Sequence, residues 1–268
     1  MPQAACRREP GIHRVGSGIT LPRMGDQLKN RSALVTGANR GIGLAIAKEF
    51  AKEGAEVFLA GRNTAELEKV RASISAAGGK AQVCTVDLEK EDSVRALAAS
   101  LKGKLQSLDI YIGNAASLGA RVPLVRYPLE TWRQTFRINV DANLILLAEL
   151  DPLFKKAAAP RIVMLSAKVA TQGKATTGSY AVTKAALEAM VRIYVVEAGP
   201  SSPMRINIVS PGPTRTEMRA RAAPEEDPMS IKPPEKITGL FVRLALPSCN
   251  VQGQWIDADE WLAGKTRV

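Results

Sequence analysis

Thr36-Gly37-Ala38-Asn39-Arg40-Gly41-Ile42-Gly43 is the stretch that decides how this chain reads. A short apolar run, residues 33–36, leads into it, and Leu44-Ala45-Ile46-Ala47 continues it with helical spacing. Glycines here permit a sharp strand-to-helix turn, let the backbone approach a pyrophosphate, and allow the helix to pack closely on the strand. The helix start then offers oriented N–H donors to the anion. A glycine-rich loop alone is a weak signal. Set between a first strand and a first helix, it makes Gly37, Asn39, Arg40, Gly41, Ile42 and Gly43 candidate dinucleotide-binding residues.

Outward from this turn, short apolar runs alternate with amphipathic stretches. Strands are expected over residues 33–36, 56–60, 81–86, 108–112, 161–165 and 205–209, with a short late one at 254–256. Helical spacing covers 42–53, 64–77, 91–102, 129–154, 179–197 and 234–245. Strands apolar throughout and separated by helices predict a parallel sheet covered on both faces. Right-handed crossovers then give an α/β, Rossmann-type doubly wound fold, with its ligand site at the carboxyl ends of the strands. One domain over residues 28–268 accounts for the pattern. Residues 1–27, rich in Gly, Pro and Arg, read as a flexible basic extension; a targeting peptide and a start at Met24 are the alternatives. Residues 214–234 lack periodicity and read as an active-site lid or a surface insertion.

Composition removes other classes. The chain has 268 residues, 46% hydrophobic and 24% charged, which is a globular profile. Its net charge of +11 raises nucleic acid as a partner, but the bases are spread along helix faces and aromatics make up only 4%. No nucleic-acid partner is expected. The single histidine, His13, rules out a His-based triad, and three scattered cysteines suggest neither disulfide framework nor metal site. No apolar run approaches the roughly 20 residues a membrane span needs. A cytoplasmic protein is the resulting expectation.

Two further motifs carry chemistry. At the end of the second expected strand stands Leu59-Ala60-Gly61-Arg62-Asn63, where a carboxylate would normally hold the ribose hydroxyls of NAD. A carboxylate would repel a 2′-phosphate, whereas Arg62 and Arg40 can flank one, so NADP is the expected cofactor. Tyr180-Ala181-Val182-Thr183-Lys184 then places a phenol and an ammonium at i and i+4, on one helix face. Acid–base work near neutrality needs the phenol shifted by about 3 units, roughly 4 kcal/mol. One cation at about 4 Å supplies energy of that order at an effective dielectric of 20.

Together these elements strongly resemble the short-chain dehydrogenase/reductase family, over residues 28–256. The resemblance implies that Asp87 and Leu88 contact adenine, and that Asn114 and Ala115, in Gly113-Asn114-Ala115-Ala116, border the cofactor. It likewise implies that Pro211, Gly212, Thr214 and Thr216 form the loop against the nicotinamide, and that Asn139 anchors a proton-relay water. Tyr180 would protonate a carbonyl oxygen as hydride arrives, and Lys184 would hold the ribose and lower the tyrosine pKa. The substrate-orienting serine is Ser166 if the loop before Tyr180 carries one extra residue; an ungapped comparison puts Ala167 there instead. The tail departs from the family, with Trp255, Asp257 and Trp261 in place of its usual ending. The implied activity is NADP(H)-dependent hydride transfer with a small carbonyl or alcohol substrate, as in a carbonyl reductase, in a homodimer or homotetramer packed through residues 129–154 and 179–197. A cofactor-binding sensor with little catalysis is the alternative.

Overall fold

The structure, a computed structural model, describes residues 25–268. The expected extension therefore lies outside the described residues except for 25–27. Of these, Gln27 donates to the Glu53 carboxylate from both its backbone and its side chain, so the ordered fold includes it.

Seven parallel strands form one sheet in the order β3-β2-β1-β4-β5-β6-β7. They are β1 Ser32–Thr36, β2 Glu56–Gly61, β3 Lys80–Thr85, β4 Ile110–Gly113, β5 Arg161–Leu165, β6 Arg205–Ser210 and β7 Trp255–Asp257. Helices α1 Gly41–Lys52, α2 Thr64–Ala76 and α3 Glu91–Lys104 link the first strands. Then come α4 Leu129–Phe136, α5 Ala142–Lys156, the single turn α6 Val169–Gln172, and α7 Gly178–Ala198. Finally α8 Glu217–Ala222, α9 Thr238–Ala245 and α10 Ala258–Leu262 complete the chain.

The central strands are largely apolar because both sheet faces are covered, and side chains alternate between two cores, whereas the edge strand β3 carries exposed Lys80 and Thr85. Val35, Leu59, Ile112, Val163 and Val209 pack with α1, α2 and α9 on one side. Leu34, Phe58, Tyr111, Ile162 and Ile208 pack with α3, α5 and α7 on the other. The sheet order reverses between β1 and β4, so the crevice at their carboxyl ends is where a ligand is expected.

Two helical expectations change in detail. The stretch 129–154 is not one regular helix: α4 and α5 are joined by a turn of π-helix, Arg137–Asp141, around the buried Asn139. Residues 234–245 begin as a 3-10 turn, Pro234–Ile237, and α9 proper starts only at Thr238. Among the described residues no helix is long and apolar enough to cross a membrane.

Candidate active site

A cleft of about 920 Å³ opens along the carboxyl ends of the strands. It is bordered by the glycine turn, the ends of β2 to β6, the start of α7, and the segment after β6. Of the aperiodic stretch 214–234, Thr214 to Arg219 line the cleft, and the segment folds partly into α8.

The glycine turn is built for close approach. Gly37 has φ 68°, a left-handed conformation that favours glycine, and its N–H bonds the Ala60 carbonyl at 2.8 Å. A Cβ at Gly43 would stand 2.3 Å from the Gly37 carbonyl oxygen and 2.5 Å from Asn114 Nδ2. The turn is clamped to β4 by Thr36, whose hydroxyl accepts from the backbone N–H of Asn114 (3.0 Å) and Ala115 (3.1 Å). Asn114 Nδ2 returns a bond to the Thr36 carbonyl at 2.8 Å. Helix α1 starts without a side-chain cap, leaving its first N–H groups for an anion at the cleft. These features fit a dinucleotide pyrophosphate.

Around that turn, Arg62 is exposed at the end of β2, and Asp87 and Leu88 are half-buried beyond β3. All three line the cleft with Asn39, Arg40 and Ile42. Asp87 Oδ1 accepts the backbone N–H of Glu89 at 3.2 Å. Arg40 pairs with Glu217 of α8, tying the lid to the glycine turn. Thr216 reinforces this seam: a Cβ at Gly41 would lie 3.2 Å from its methyl group, and its hydroxyl caps α8 by accepting from Arg219 N. Pro211 and Gly212 also border the cleft, and the Thr214 hydroxyl lies 3.3 Å and 3.2 Å from their carbonyls.

The opposite wall is the start of α7. Tyr180 and Lys184 both line the cleft, with the ammonium 5.8 Å from the phenol ring centre. The expected acidified phenol is absent in the bare protein. Burial pushes Tyr180 up to about 12, and burial brings Lys184 down to about 8, with Glu188 opposing the latter. Lys184 is 2% exposed and donates to the Leu165 carbonyl at 2.7 Å rather than to the phenol. Desolvation here outweighs the attraction that the spacing suggested.

Asn139 is fully engaged through its side chain. Its Nδ2 donates to the Ser117 carbonyl (3.0 Å) and to Thr183 Oγ1 (2.9 Å), and its Oδ1 accepts from Ser117 N (2.7 Å). It thus ties the β4–α4 loop to α7. Its backbone carbonyl accepts from Asn143 Nδ2 at 2.9 Å.

Residues 31–227 match the family description "short chain dehydrogenase". The chain belongs to the short-chain dehydrogenase family, a family of oxidoreductases. An uncharacterized oxidoreductase, YciK of Escherichia coli K12, is 36% identical over 222 residues, covering 82% of this chain and 87% of that protein. A short chain dehydrogenase from Escherichia coli CFT073, solved with NADPH, has a TM-score of 0.84 at 35% identity, covering 88% of this chain and 99% of that one. Another from Shigella flexneri 2a, solved with NADP, has a TM-score of 0.84 at 36% identity, with the same coverage.

Within this short-chain dehydrogenase, Ser166 departs from its expected role. It borders the cleft, but its hydroxyl donates to Glu188 Oε1 at 2.6 Å and the residue is 2% exposed. Ala167, half-buried beside it, is the next cleft residue. Glu188 itself escaped sequence reasoning. Its Oε1 also accepts Trp255 Nε1 at 2.8 Å, so one buried carboxylate joins β5, α7 and β7. The available signal was its spacing: Tyr180, Lys184 and Glu188 form a stripe at i, i+4 and i+8, with an acid where an apolar residue belongs. The unusual tail is likewise structural, since Asp257 pairs with Lys168 at 2.5 Å and caps α10.

Proposed function

We propose that the chain is an NADP(H)-dependent oxidoreductase that interconverts a small carbonyl compound and its alcohol. The observation that carries this reading is that Tyr180 and Lys184 line the same cleft as the glycine turn. The NADP and NADPH complexes of the relatives agree with the cofactor, as does Arg62 at the end of β2, where NAD sites carry an acid.

Bound in this cleft, the dinucleotide would supply or accept the hydride. The protein's part is binding and proton control. Arg62 and Arg40 hold the 2′-phosphate, with Arg40 exchanging Glu217 for it. The uncapped start of α1 and the turn at Gly37, Asn39, Gly41, Ile42 and Gly43 hold the pyrophosphate. Asp87 and Leu88 border the adenine; Asn114 and Ala115 fix the turn; Pro211, Gly212, Thr214 and Thr216 close over the nicotinamide end. With its pKa near 12 the phenol of Tyr180 is protonated at neutral pH, which suits donation to a carbonyl oxygen during reduction. Lys184, charged below about pH 8, holds the ribose and replenishes that proton. The relay through Asn139 uses its backbone carbonyl, which keeps a lone pair beside Asn143. Ser166 acts by positioning Glu188, leaving Ala167 at the substrate.

Exposed Leu144 on α5, with Val182, Ile193 and Val196 on α7, supports a homo-oligomer through these helices. A cytoplasmic location is part of the same proposal, as is a single domain that takes in Gln27 just ahead of residue 28.

The test is NADPH oxidation across a panel of ketones by the parent and by Tyr180→Phe. Loss of at least about a hundredfold is expected from removing a general acid. Parent-like turnover by the variant overturns the assigned acid. NADH used as well as NADPH overturns the cofactor. Tight NADPH binding with no carbonyl turned over would point to the sensor reading instead.

A further inference from the structure

The charged residues around the cleft are unevenly distributed. At the cofactor end, Arg40 and Arg62 stand among Asp87, Glu89 and Glu217, so the signs are mixed. Apart from these and Lys184, the lining carries six cations and one carboxylate, Glu235. Two of the six are neutralised locally: Lys168 by Asp257 at 2.5 Å, and Arg219 by a two-pronged pair with Glu226 at 2.5 and 2.6 Å. Four are left over, Arg121, Lys174, Arg215 and Arg221, and among the described residues none of these is paired with a carboxylate within 4 Å. Lys174 does lie near enough to Glu226 to help hold its carboxyl down, after Arg219.

These cations come from three separate segments that line the same cleft as Tyr180. Arg121 follows Ala120, whose N–H donates to the Tyr127 hydroxyl at 2.7 Å; that hydroxyl in turn lies 2.6 Å from the hydroxyl of Ser179, the neighbour of Tyr180. Lys174 is in the loop just before α7, where its carbonyl accepts the Thr177 hydroxyl at 2.6 Å. Arg215 and Arg221 come from the lid. Like charges gathered at one mouth repel each other and are retained at some cost unless an anion joins them.

We infer that the substrate of this enzyme is a carbonyl compound bearing an anionic group, a carboxylate or phosphate ester, which Arg121, Lys174 and the lid arginines hold while its carbonyl faces Tyr180. The inference rests on the proposed oxidoreductase activity. The carbonyl and the anion must be separate groups on one molecule, since the phenol must reach the first while the cationic rim holds the second.

A matched pair of probes tests it: 4-acetylbenzoate and its methyl ester share a reacting ketone and differ in charge. A second acid, the phosphate monoester of 4-hydroxyacetophenone, separates carboxylate from phosphate preference. NADPH oxidation gives kcat/KM, and calorimetric titration of the enzyme–NADP+ complex, which has no hydride to give a ketone, reads binding without turnover. At low salt at least one acid should exceed the ester at least tenfold in kcat/KM or affinity. That ratio should shrink severalfold in 0.5 M salt and in the double variant Arg121→Gln/Lys174→Gln, with NADPH affinity measured alongside. Equal handling of acid and ester, whether both react or neither binds, overturns the inference; so does a preference that survives the double variant. A preference lost only because NADPH no longer binds overturns the placement of these two residues. Full ketone turnover by Tyr180→Phe would instead sink the catalytic reading, whatever the charge preference.

Discussion

Replacing Lys184 by Met should make the bare protein more stable while abolishing its turnover. The ammonium is 2% exposed, and burial lowers its pKa from the usual 10.5 to about 8. A difference of about 2.5 units corresponds to about 3 kcal/mol by which folding disfavours the charged form at neutral pH. Removal also leaves the Leu165 carbonyl without its 2.7 Å donor, which offsets about 1 kcal/mol. The variant should therefore gain about 2 kcal/mol at pH 7. Proton counts set the sign of the pH dependence. Between about pH 8 and 10.5 the unfolded lysine holds more proton than the folded one, so the parent's stability rises with pH through that window. The advantage of Lys184→Met should thus shrink by about 1 kcal/mol between pH 7 and pH 9. Urea denaturation of parent and variant at both pH values, without cofactor, measures this. A variant less stable than the parent at pH 7, or a gain that does not shrink at pH 9, would refute the argument that this lysine is retained against stability.

Three other outcomes are expected at the same site. Gly43→Ala should lower NADPH affinity at least about tenfold and cost on the order of 1–3 kcal/mol, because its methyl group must displace the Gly37 carbonyl or Asn114; fluorescence titration and urea denaturation read the two effects. Ala167→Ser should raise kcat for ketone reduction by about tenfold, by supplying the oxyanion donor that Ser166 gives to Glu188; an unchanged kcat would place the substrate oxygen elsewhere. Glu188→Gln removes the nearby charge that opposes the lowering of Lys184, so the fall of kcat/KM with rising pH should move below pH 8; an unshifted profile would detach Glu188 from the lysine's titration.

The sheet was readable in the sequence because the central strands are apolar on both sides, Leu34, Phe58 and Tyr111 facing one core and Val35, Leu59 and Ile112 the other, as burial on two faces favours. The glycine turn was readable for a related reason: local backbone demands are written locally. The fate of Ser166 was not. Which way its hydroxyl points depends on Glu188, 22 residues later, and that carboxylate in turn is held by Trp255. Spacing reports that Lys184 is near the phenol but not that burial raises the phenol's pKa. Nor does any periodicity foretell that Arg40 meets Glu217, since the partner sits in a segment whose path the sequence leaves open.

The wide turn at Arg137–Asp141 makes the length of this helix as constrained as its chemistry. A π-turn holds one residue more than the α-turn it replaces, so the helices on either side can keep their phase when one residue is lost there. Deleting a single residue there would let the wide turn relax to ordinary α-helix, leaving hydrophobic packing largely intact. Asn139 would nonetheless swing out of phase with Thr183 and Ser117, and the loop beside Tyr180 would lose its tether. Such a deletant should fold yet fail to hold its active site together. Insertions and deletions in this helix are therefore a sharper probe of the enzyme than most point substitutions.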